Sequence, residues 1–283
     1  AVYRTGYSAG TGVLYIAFDI ALTPERPTAE LSAYTFDFDP EWGFRSAMET
    51  FYTMFPAAFE NRAGKHGLWI PFGYIPGIEG WEDFGFRFNE GFADVTWSDT
   101  HEVLSFNYCE PMTYWMWMPP EVPRTRETIV GHVQKLADEG DAEAQAYLTS
   151  VYHDPHGRPV ATAMAAPWCD GALWSMNTAP GIVGEITDFN RLWTDRALDF
   201  SAGNADGTGG DGMYIDSIEG FLIDELNFRR SHFAAMDTPL TFDALSGKPA
   251  IFTPLVAFEF TRAISGDLHD RGALTMANTT PAR

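Results

Sequence analysis

The residues 209–220, Gly-Gly-Asp-Gly-Met-Tyr-Ile-Asp-Ser-Ile-Glu-Gly, join a short apolar strand to two acids, Asp216 at its end and Glu219 three positions on. A carboxylate at the C-terminal tip of a buried parallel strand is where barrel enzymes hold their reacting groups. Two other runs have the same form: Tyr34–Asp39 ends in Asp37-Phe38-Asp39-Pro40, and Leu104–Cys109 ends in Glu110-Pro111. Several acids converging on one mouth, in a chain with nine tryptophans, suggest carbohydrate cleavage or binding by paired carboxylates. A strand-end acid that caps the following turn is the ordinary alternative for each one taken singly.

Glycoside cleavage needs one ionised carboxylate and one protonated carboxylic acid. Asp216 fits the first role, because the strand beneath it fixes its place. For the second, Glu219 could turn back through Gly220, and Glu110 has the apolar neighbours Met112, Tyr114 and Trp115, whose surroundings raise a carboxyl pKa. Asp37 and Asp39, two residues apart on an expected strand, would share a face. With Trp42, Arg45, Trp69, Trp115, Trp174 and Asn278 they are the expected sugar-binding set, since indole faces stack on pyranose rings.

Positioning such groups takes alternating strands and helices. Strands are expected at 31–38, 67–73, 103–109, 172–177, 212–216 and 273–277, forming one parallel sheet. Apolar residues at helical spacing predict helices over 43–55 (Phe44, Met48, Phe51, Phe55), the stretch around Ile129, Val133 and Leu136, 142–151, 186–200 and about 255–269. The fold class is therefore α/β, a (β/α)₈ TIM barrel with about six of eight βα units over 30–283. It is preceded over 1–29 by the last strands of a β-domain. The segment between 74 and 101 reads as a long glycine- and aromatic-rich loop.

Composition narrows the partners. Lys and Arg number 18 against 39 Asp and Glu, a formal charge of −21, so no basic face is available for nucleic acid. No apolar run is long enough to span a bilayer. The two cysteines, Cys109 and Cys169, form no metal or redox motif and are open between a disulfide and buried thiols. Neither His153-Asp154-Pro155-His156 nor the glycine-rich 204–212 stretch has a full ligand set, so no metal or cofactor is expected.

The series Phe38-Asp39-Pro40-Glu41-Trp42-Gly43-Phe44-Arg45, then Gly67-Leu68-Trp69, then Tyr214-Ile215-Asp216-Ser217-Ile218-Glu219-Gly220 resembles glycoside-hydrolase-like TIM-barrel proteins of the broad α-galactosidase and endo-α-N-acetylgalactosaminidase kind. The resemblance implies a secreted or periplasmic hydrolase in which Asp216 attacks the anomeric carbon. It leaves the general acid open, because Asn278 stands where such enzymes often carry an acid. Glu219, Glu110 or a residue beyond Arg283 would then supply the proton. A non-catalytic carbohydrate-binding barrel and a barrel lyase or isomerase are the competing readings.

Overall fold

The computed structural model describes residues 2–91, 94–182, 190, 193, 210–218 and 226–278. In chain order the strands are β1 (Val2–Ser8), β2 (Val13–Asp19), β3 (Leu68–Ile70), β4 (Phe86–Glu90), β5 (Leu104–Cys109), β6 (Thr113–Trp117), β7 (Ala161–Ala166), β8 (Cys169–Ser175), β9 (Gly212–Ile215), β10 (Leu226–Asn227), β11 (Thr241–Phe242), β12 (Pro249–Phe252) and β13 (Leu274–Ala277). The helices are α1 (Phe44–Met54), α2 (Val95–Thr100), α3 (Arg126–Asp138), α4 (Ala142–Ser150) and α5 (Thr253–Asp270).

The central element is a curled five-stranded parallel sheet, ordered β13-β9-β5-β4-β3. Its strands add in chain order along one direction, so each new strand lies beside the previous one. At Gly212 a Cβ would collide with the Leu274 carbonyl, so the close approach of β9 and β13 requires glycine there. On β9, Met213 and Ile215 project to one side and Tyr214 to the other, the period-2 alternation of a strand. The first side is covered by α5, whose Ala257, Phe260, Ile264 and Leu268 form the buried stripe that the sequence spacing predicts, with Val256 buried beside it. Pro254 in the first turn starts α5, and Gly272, at φ 77°, lies two residues past its last helical residue.

A second layer lies between β5 and β9 in sequence. There β6, β8 and β7 form an antiparallel sheet packed on α3 and α4. Thr125 opens α3 with a capping box to Thr128, and the Asp141 carboxylate accepts from the Ala144 amide at the start of α4. The short strands β10, β12 and β11 make a third, antiparallel sheet.

Four expectations need correction. Residues 31–38 form no strand; they run as an exposed segment into α1, and Pro40 closes the run before any neighbour pairs with it. The 172–177 run is a strand, but it belongs to the antiparallel sheet, because a short turn at Pro167–Trp168 lets β7 and β8 pair as a hairpin. The 74–101 segment is not only loop, since it contains β4, the middle neighbour of β3 and β5. Within 1–29 the described β-structure is one hairpin, β1–β2, and not a β-domain; the Ala21 amide ties its base to the Leu240 carbonyl (3.0 Å). The helix expected over 186–200 lies outside the described residues apart from Asn190 and Trp193. Cys109 and Cys169 are both buried free thiols.

Candidate active site

The register of the parallel sheet brings its acids together. Cys109 pairs with Ile215 and Ala277 with Ile215, so the next residues, Glu110, Asp216 and Asn278, leave the sheet at one level on three adjacent strands. Because side chains alternate, Tyr108 and Tyr214, paired directly below, look to the same side as these three. Glu90 pairs with Phe106, one inward-facing position deeper, and shares that side.

Asp216 is held by neutral donors. Asn278 Nδ2 donates to Oδ1 at 2.9 Å, the Tyr214 hydroxyl to the same oxygen at 3.3 Å, and the Tyr108 hydroxyl to Oδ2 at 3.1 Å. Tyr108 Oη also lies 2.8 Å from Glu110 Oε2, which accepts from Trp115 Nε1 at 2.7 Å. Burial pushes the Glu110 carboxyl above the usual carboxylate range, against the lowering effect of the Trp115 and Tyr108 hydrogen bonds; the Asp216 charge adds to the rise. Burial and these two acids hold the Tyr108 phenol far above its ordinary value, so it stays protonated. The backbone after Asp216 is held in a conformation that non-glycine residues rarely adopt, with Ser217 at φ 44°.

Aromatic rings build the walls. Trp69 lies 5.3 Å from Tyr214 between ring centroids, and Phe72, itself at φ 49°, lies 5.7 Å from Tyr108. On the far side Trp115 meets Trp168 edge to face at 6.0 Å. Of the expected residues, Asp216, Glu110, Trp69, Trp115 and Asn278 are therefore brought to one place. Glu219 lies outside the described residues.

The other expected residues are placed elsewhere. Trp174 is fully buried in the core of the antiparallel layer, packed with Met116, Val133 and Tyr147, so it has no face to offer a sugar. Asp39 accepts from the Glu41 amide at 2.9 Å and so caps the turn into α1. Asp37, Trp42 and Arg45 are exposed on the same stretch, and among the described residues none of the four shares a hydrogen bond, ion pair or ring contact with Asp216 or Glu110. Among the described residues no group of three His, Cys, Asp or Glu could hold a metal ion, and no helix is long and apolar enough to cross a membrane.

Sequence reasoning missed Glu90. It is 4% exposed, and its carboxyl is raised to about 7, first by burial and then by the charge of Asp216. The signal was present: Phe86-Arg87-Phe88-Asn89-Glu90-Gly91 alternates apolar and polar residues and ends on an acid, like the runs before Glu110 and Asp216. Compared with known proteins, the chain matches no family model, no curated protein and no solved structure.

Proposed function

We propose that this chain is a glycoside hydrolase that cleaves an oligo- or polysaccharide, with Asp216 as nucleophile and Glu110 as acid and base. The observation that carries the reading is the single phenol oxygen of Tyr108 lying between the two carboxyl groups. One phenol proton cannot serve two carboxylates at once. With the proton of Tyr108 directed to Asp216, Tyr108 no longer donates to Glu110 and so no longer holds its carboxyl down; the Glu110 contact then calls for a proton on Glu110, which its burial favours. The site would then hold one ionised and one protonated acid, the pair that the chemistry requires.

In the first step the Asp216 carboxylate forms a bond to the anomeric carbon while the glycosidic C–O bond breaks, and the Glu110 proton passes to the departing oxygen. In the second, water attacks that carbon, its proton goes to Glu110, and Asp216 is released as carboxylate. The two contacts to Tyr108 laid end to end place the facing oxygens closer than the roughly 6.5–9.5 Å typical of inverting enzymes, which favours retention. Trp69, Trp115 and Trp168 supply faces for sugar rings. The chain-order addition of five parallel strands, with the acids at their C-terminal ends, supports a TIM barrel as the full architecture. A polymeric glycan substrate suits an extracellular or periplasmic location.

The test is turnover on a panel of aryl glycosides and natural glycans. Asp216→Asn should lose at least about 10³-fold in kcat with binding retained, and Asp216→Gly should recover turnover with added azide, giving a glycosyl azide of inverted configuration, since azide then performs a single displacement from the side of the missing carboxylate. Cleavage by Asp216→Asn at the parental rate would remove Asp216 from the mechanism. Sugar binding by the parent without cleavage of any panel member would favour the carbohydrate-binding barrel, a reading in which Asn278 beside Asp216 replaces a second acid.

A further inference from the structure

Glu90 has no role in the two-carboxylate chemistry, yet it is a buried acid, 4% exposed. Neither of its carboxyl oxygens has a hydrogen-bond partner among the described residues, and Glu110 Oε1 is unpartnered as well. A buried carboxyl without donors loses its hydration and receives nothing in return, so such a group needs an explanation. A structural explanation requires a partner within the fold, and none is present among the described residues. A metal explanation requires further ligands, and no group of three candidates occurs among them either. Beyond water and the residues outside those described, the remaining source of donors is a ligand.

The position of Glu90 says which part of a ligand that would be. By register it stands beside Phe106, one inward-facing step deeper than Tyr108 and two deeper than Glu110. Asp216 is near enough for its charge to act on Glu90, and Tyr214, next to the Trp69 ring, is near enough to feel the charge of both. A sugar ring with its reacting carbon at Asp216 and one face on Trp69 would direct its far hydroxyls down toward Glu90. The known partners of the site acids are neutral donors, Tyr108, Tyr214, Trp115 and Asn278, which suits a polyol better than an anion.

We propose that Glu90 is a specificity-determining residue, whose two unpartnered oxygens hydrogen-bond a pair of adjacent hydroxyls on the sugar held in the site, on the side of the ring away from the reacting carbon. Three rotatable side-chain bonds let the carboxyl meet the ring by a rotamer change. The proton that Glu90 carries near neutral pH is then no obstacle, since a protonated carboxyl still accepts one hydroxyl and donates to the other. The inference rests on the carbohydrate reading above and assigns the part of the substrate that this site selects.

The experiment measures binding of free D-galactose, D-glucose and D-mannose, and of the monodeoxy forms of whichever binds best, by ligand-observed NMR to the parent, Glu90→Ala and Glu90→Gln. The expected result is that removing either of two adjacent hydroxyls weakens binding to the parent about tenfold or more, and that the same removals have little further effect in Glu90→Ala. Glu90→Gln, which keeps the shape, provides the comparison should the alanine variant fail to fold. An unchanged deoxy pattern in a folded variant overturns the inference and leaves the hydrolase reading standing. Preferred binding of D-glucosamine, lost when its amine is deprotonated, also overturns it, since Glu90 would then be answering a cation. Absence of binding of all three sugars to the parent overturns the inference, while the hydrolase reading stands or falls on the turnover panel.

Discussion

Strand β9 serves two environments in alternation. Met213 and Ile215 enter the apolar cluster under α5, where Phe260, Ile264 and Leu268 close over them. Tyr214 and Asp216 point the other way, into a space lined by acids and phenols whose hydrogen bonds are few and shared. The outer face gains free energy from every residue it buries. The inner face costs free energy, because Glu90 and Glu110 are kept from water with incomplete compensation. Stability and chemistry are thus separated by the pleat, with neighbours in sequence assigned to opposite duties.

The largest test of that separation lies on the outer face. Phe260→Ala should cost about 3–5 kcal/mol in denaturant unfolding, the range for a fully buried aromatic. A cost under about 1 kcal/mol would mean that the sheet is not anchored through α5.

On the inner face the sign should reverse and depend on pH. The folded Glu90 carboxyl, raised to about 7, binds a proton that the unfolded chain releases near the ordinary glutamate value. Stability from this group is therefore full at low pH and is lost as pH rises through that window. Glu90→Gln should remove about 2 kcal/mol of the stability difference between pH 5 and pH 8, read by thermal or urea melts at both values. Equal pH slopes in parent and variant would show that the acid is not buried uncompensated.

The smallest effect is at the strand tip. Ser217 holds φ 44°, so Ser217→Gly should be neutral or stabilising by about 0.5 kcal/mol, while Ser217→Val should cost about 1–2 kcal/mol. Equal stability of the two variants would argue against that backbone conformation.

Local signals carried much of the fold. The Ile129, Val133 and Ala137 stripe of α3, and that of α5, are legible because each buries its apolar face within the described chain. The equally regular Phe44, Met48, Phe51 and Phe55 do give a helix, but α1 has no buried residue, since periodicity reports a face without naming what covers it. Strand direction was not legible: Ala172–Ser175 reads as apolar in either sheet, and only its pairing with β6 and β7 fixes it as antiparallel. In the site, Asp216 and Glu110 stood out as acids at the ends of apolar runs. Glu90 carries the same mark, but the glycines on either side of its strand made the whole segment read as loop. That Tyr108 joins two acids separated by more than a hundred residues is a matter of register, which no local pattern encodes.

The alternation also gives the site a neighbour of a different kind. Cys109 precedes Glu110 directly, yet its thiol is 1% exposed and belongs to the cluster beneath α5, and burial pushes it well above the ordinary thiol range. Such a thiol is shut off from alkylating reagents while β5 is covered, so its labelling must wait for that layer to part. The rate at which Cys109 is labelled under native conditions is therefore a clock for local opening directly beside the acid, measurable without introducing any probe.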